Sequence, residues 1–127
     1  MYYLTKRIEE GDFAATVARV REALADEGFG VLTEIDVQAT LREKLGEETA
    51  PYLILGACNP PLAHRAIGAE PQIGVLLPCN VVVRQEDAAV VVDAMDPESV
   101  MSVVQTPGVG EVAVEVRRRL NSVIEAL

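Results

Sequence analysis

Two thiols and two amides are the residues of this chain best placed to do chemistry. The dipeptide Cys-Asn occurs at Cys58-Asn59 and again at Cys79-Asn80, and these are the only cysteines. Each copy stands where an apolar run meets proline, in Gly56-Ala57-Cys58-Asn59-Pro60-Pro61 and in Leu76-Leu77-Pro78-Cys79-Asn80-Val81. A helix starting near Pro61 would set Cys58 just outside its N-terminus, where backbone N–H groups and the helix dipole favour a thiolate. That describes a reactive or metal-binding thiol. The competing reading is a small apolar residue filling the junction of strand and turn, with Asn59 bonding local backbone. Cys79 shares the parity of Ile73, Val75, Leu77, Val81 and Val83, which faces it to the core unless a bulge at Pro78 re-aims it. Asn80, between apolar neighbours, must satisfy its amide if buried, through a ligand or through a neighbouring strand.

His64 is the single histidine. On a short helix it could fold back toward Cys58 and form a nucleophile–base pair. Cys58, Cys79 and His64 together would offer two sulfurs and an imidazole to zinc or copper, and Glu70 could orient or complete either site. A surface histidine beside Arg65 is the alternative. The spacing has neither C-x2-C nor His-x3-His. Gly108-Val109-Gly110 lacks the third glycine and preceding strand of a dinucleotide loop and reads as a break between helices. Asp93 and Asp96 are two carboxylates at a strand end, of which Asp96 is accounted for as a helix cap.

These residues must be held by a chain of 127 residues, the size of one domain, able to bury a core without disulfide or metal. Half of the residues are apolar, but aromatics are 4% and tryptophan is absent, so the core must be Val, Leu, Ile and Ala. The net charge of −9 argues against a nucleic-acid partner, because phosphate contacts need a basic surface. The run Arg117-Arg118-Arg119 lies among Glu111, Glu115 and Glu125 and reads as a solvated helix face. Met1 to Lys6 lacks an apolar signal region, and the longest apolar stretch falls well short of the roughly 20 residues that span a bilayer. The expectation is a cytoplasmic protein with no membrane partner and with reduced thiols.

Along the chain, Tyr2, Leu4 and Ile8 suggest a strand. Asp12 suggests an N-cap for a helix with Phe13, Val17, Val20 and Leu24 inward, stopped at Gly28. Phe29, Val31, Thr33 and Ile35 are expected on one face of a second strand. Asp36 caps a short surface helix that ends at Gly46. Pro51–Ala57 reads as a buried strand, Leu62–Ile67 as about one and a half helical turns, and Ile73–Val83 as a long strand or two strands kinked at Pro78. Gln85-Glu86-Asp87 turns into Ala88–Met95, Asp96-Pro97 starts a helix, and Val112, Val116, Leu120, Val123 and Leu127 face inward on the last one. The order predicts α+β: helices on one face of a mostly antiparallel sheet, in a single domain over 1–127.

The stretches Gly28–Val37, Leu41–Gly46, Gly56–Pro60, Glu70–Gly74 and Leu77–Val81, in that order, resemble the bacterial and archaeal family called domain of unknown function 302. The resemblance covers nearly the whole chain. It implies a β-α-β(4)-α fold of the TATA-box-binding-protein-like kind, with a curved antiparallel sheet, and it suggests a homodimer. It supplies no activity and no cofactor, and kinship of fold with a DNA binder says nothing of DNA binding. Three functions are therefore expected to compete. The first is a domain binding a small ligand or metal ion near Cys58, Asn59, Cys79 and Asn80. The second is a thiol redox enzyme with Cys58 reactive and Cys79 resolving. The third is a homodimeric interaction module in which both motifs only hold the sheet.

Overall fold

A computed structural model describes residues 1–127. Strand β1 (Tyr3–Ile8) leads to helix α1 (Phe13–Asp26), β2 (Gly30–Asp36), α2 (Val37–Leu45), β3 (Tyr52–Cys58) and α3 (Pro60–Ala69). A 3-10 turn (Pro71–Leu76), β4 (Cys79–Glu86), β5 (Ala89–Met95), α4 (Pro97–Val100), a second 3-10 turn (Met101–Val103) and α5 (Val109–Glu125) complete the chain. The five strands form one antiparallel sheet in the order β1-β5-β4-β3-β2. The arrangement is α+β, with β1, α1, the four strands β2–β5 and α5 in sequence, and α2 and α3 inserted between strands.

Local chemistry sets the ends. Asp12, Asp36 and Asp96 each accept backbone N–H bonds at the starts of α1, α2 and α4, supplying partners that the first helical turn lacks. Gly28 and Gly46 take positive φ where α1 and α2 stop, a conformation that costs glycine no steric strain.

Period-two alternation then divides the sheet into two unlike faces. Leu53, Leu55 and Ala57 of β3, Cys79, Val81 and Val83 of β4, and Val90, Val92 and Ala94 of β5 pack against Val20 and Leu24 of α1, Leu62 and Ala66 of α3, and Val112, Val116, Leu120 and Val123 of α5. Each fully buried Val or Leu there contributes roughly 2 kcal/mol before chain entropy is counted. No helix covers the other face in the same way. Across it, Thr5, Asp93, Val82, Ile54 and Ile35 follow one another rung by rung over all five strands.

The structure departs from the sequence reading in three places. A bulge at Leu32 shifts the β2–β3 register between Val31 and Thr33. Val31, opposite Ala57, faces the core, whereas Thr33 and Ile35, opposite Gly56 and Ile54, face the open side; one extra residue inverts the phase of all that follow. Ile73 and Val75 lie in the 3-10 turn, and β4 begins only at Cys79, after a cis Leu77–Pro78 bond. Helix α3 runs ten residues rather than a turn and a half, because Pro60 and Pro61 occupy its first positions, where a missing N–H does no harm.

Candidate functional site

Cys58 ends β3, paired with Gly30 of β2, and Asn59 follows as the N-cap of α3. The Asn59 side chain is buried, and its Oδ1 accepts the Leu62 N–H at 3.2 Å. Of the two readings of the Cys58 thiol, the inert one agrees with the structure, because burial pushes its pKa up rather than down. The reason lies in the first turn of α3. Pro60 and Pro61 have no N–H, Leu62 gives its N–H to Asn59 Oδ1, and Ala63 gives its own to the Asn59 carbonyl. The first turn thus leaves no free N–H among residues 60–63 for a thiolate, and desolvation decides the shift.

Cys79 stands opposite Ala57 on the last rung of the β3–β4 ladder, buried on the core face as parity with Val81 and Val83 predicts. Burial raises its thiol to about 12, and the neighbouring Cys58 adds to the rise. From that register the Cα atoms of Cys58 and Cys79 are about 6 Å apart, inside the range a disulfide needs. Their positions are one residue out of phase, so alternation starts the two side chains toward opposite faces of the sheet. Both cysteines are free.

Past that last rung lies a partly open cavity of about 30 Å3, lined by Cys58, Asn59 and Cys79 with apolar side chains that include Phe29, Leu62, Met101 and Val116. Its size is that of one or two water molecules or a single ion, an order of magnitude below an ordinary small-molecule pocket. The remaining sequence candidates stand elsewhere. His64 is exposed on α3 and does not line the cavity. Glu70 accepts the Thr106 hydroxyl at 2.8 Å, tying the 3-10 turn to the loop before α5. No group of three or more His, Cys, Asp and Glu side chains is placed to hold a metal ion, so Cys58, Cys79 and His64 do not form the three-ligand set that their chemistry allowed. Asn80 is exposed on the open face, opposite Gly56.

A larger hollow, of about 390 Å3, lies on that open face between Tyr2, Tyr3, Thr5, Tyr52, Val82, Arg84 and Asp93. Sequence reasoning missed it, since its residues come from four strands and the segment before β1 and share a face only once the register is known. The Arg117–Arg119 run is consumed within the chain. Arg117 bonds Asp96, and Arg118 and Arg119 both bond Glu115, whose carboxyl these two arginines hold down at about 2.

The family model for the domain of unknown function DUF302 matches residues 4–127. The chain belongs to the DUF302 family. Its fold is similar to the crystal structure of an uncharacterized conserved DUF302 protein from Bacillus stearothermophilus, at 30% identity and a TM-score of 0.91, covering 99% of this chain and 98% of that one. No curated protein matches it. DUF302 membership bears out the resemblance that the motifs carried, and assigns no chemistry to Cys58 or Cys79. No helix is long and apolar enough to cross a membrane.

Proposed function

We propose that the chain is a binding domain that takes a single soft cation of the Cu(I) type between Cys58 and Cys79. The observation that carries this reading is that two free thiols share one small cavity whose other lining residues, Asn59 apart, are apolar. An organic ligand is too large for about 30 Å3, whereas one ion fits. Soft sulfur ligands select soft ions, and two of them suit a d10 ion of low coordination number better than zinc, which seeks four ligands. Binding displaces both thiol protons, leaving a dithiolate complex of charge −1. Because burial raises both thiols, affinity rises with pH, by about a hundredfold per unit while both are protonated.

The test is competition against a colorimetric Cu(I) chelator under anaerobic, reducing conditions, with wild type, Cys58→Ser and Cys79→Ser. One ion per chain, weakened strongly in both variants, is expected. Wild-type stoichiometry and affinity in either variant would overturn the reading. Thiol redox catalysis has less support, since burial raises both thiols and neither sulfur is activated.

A second reading, a homodimeric module, rests on a different region. Helix α2 has no buried residue, although nine residues are too few for a helix to be stable alone. Its Leu45 is 67% exposed, and Leu32 and Ile35 of the free-edged β2 are also exposed, an edge suited to a second copy. Light scattering across a concentration series should give twice the chain mass, and Leu32→Glu with Leu45→Glu should return the monomer. A monomer in wild type would end this reading.

A further inference from the structure

The chain has three tyrosines and two phenylalanines, and the sheet separates them completely. Phe29 is buried in the core and Phe13 packs against it. Tyr2, Tyr3 and Tyr52 all border the open-face hollow, although they lie some fifty positions apart in sequence. The Tyr2 and Tyr3 rings stand edge to face, with centroids 5.1 Å apart. Tyrosine offers a rigid, amphipathic contact surface at low entropic cost.

The floor between the rings is fixed. Asp93 accepts the Thr5 hydroxyl at 2.7 Å and the Arg84 Nε–H at 2.8 Å, and Arg84 gives Nη1–H to Glu86 at 2.8 Å. Arg7 meets the same Glu86 carboxylate at 3.5 Å. Arg84 and Asp93, the two charged residues that line the hollow, pair with each other at 2.8 Å, so its floor carries no net charge to hold a charged guest. Nη2 of Arg84 and the three phenol hydroxyls are left as polar groups facing no intramolecular partner, and none of them is a buried orphan.

We infer that this hollow binds a flat, uncharged heteroaromatic molecule, its ring against the tyrosines and its polar edge toward Arg84 and Thr5. Its volume of about 390 Å3 lies within the range of small-molecule pockets, and a floor already held by hydrogen bonds needs little further ordering when a guest arrives. A pure hydrocarbon would leave the polar floor desolvated and unpaired.

Adenosine is the probe, and its charged counterpart AMP the comparison, in amide NMR titrations of the 15N-labelled full chain. Adenosine should shift Tyr2, Tyr3, Thr5, Tyr52, Arg84 and Asp93, and AMP should bind more weakly. Tyr52→Ala should weaken adenosine by about tenfold, the usual effect of removing one stacking ring. Tyr2→Ala, at an exposed position that cannot unfold the core, should weaken it as well. The inference is overturned if no shift appears up to the solubility of adenosine, if AMP binds the tighter of the two, or if the shifts fall around Cys58 and Cys79. It is equally overturned if these amides move with protein concentration alone, which would mean that a second copy covers the face. Loss of Cu(I) binding in the cysteine variants has no bearing on this result, so the two proposals stand or fall separately.

Discussion

The same dipeptide occupies opposite phases of the sheet at its two positions. In the first copy Asn59 is buried as a helix cap and Cys58 is half-covered at the strand end; in the second Cys79 is buried and Asn80 is exposed. Ala57 and Cys79 share a rung, as do Gly56 and Asn80, so the two copies are offset by one residue across the ladder. Phase, set by register and by where the chain leaves the sheet, decides which member of each pair becomes structural. A repeated dipeptide is therefore not a repeated site.

The harshest way to break this arrangement is Gly56→Ala. An added Cβ would come within 2.2 Å of Thr33 Oγ1 and 2.8 Å of Pro78 Cγ, and urea melts should show a loss of about 3 kcal/mol. An unchanged midpoint would mean that the strands separate freely there. The two amides come next. Asn59→Ala removes the buried cap of α3 and should cost about 2 kcal/mol, whereas Asn80→Ala should stay within about 0.5 kcal/mol. Equal losses from both would erase the asymmetry.

Raising the pH sharpens the contrast between the sulfurs. The folded pKa of Cys79 is raised from 9.0 to about 12, so the unfolded chain gives up this proton first. Stability from this group is complete below about pH 9 and declines from there through about pH 12. By pH 10 the loss should reach about 1.4 kcal/mol, and a Cys79→Ala variant should not show that component. The smallest effect is on reaction order. In folded protein near pH 8, iodoacetamide should label Cys58 before Cys79, as read by peptide mass spectrometry. Simultaneous labelling would contradict the burial of Cys79.

Much of the scaffold was legible in the sequence because its signals are local. Asp12, Asp36 and Asp96 as caps, Gly28 and Gly46 as stops, and the inward stripe of α5 need no knowledge of partners. The core-facing direction of Cys79 was also readable, although three of the five residues used to argue it, Ile73, Val75 and Leu77, are not in the strand. What failed depended on events between segments. The bulge at Leu32 reverses Thr33 and Ile35, and nothing local announces it. The activated reading of Cys58 left out that two prolines remove the very N–H groups a thiolate would use. The tyrosine-lined hollow was invisible for the same reason, since alternation shows which residues of one strand share a face and never which strands are neighbours.

The segregation of the aromatics gives the protein a spectroscopic property of its own. With no tryptophan in the chain, emission excited at wavelengths beyond the phenylalanine band comes from tyrosine, and every tyrosine borders the open-face hollow. The tyrosine fluorescence of this molecule thus has all its sources on the side of the sheet away from the cysteine cavity and reports on what touches that open face.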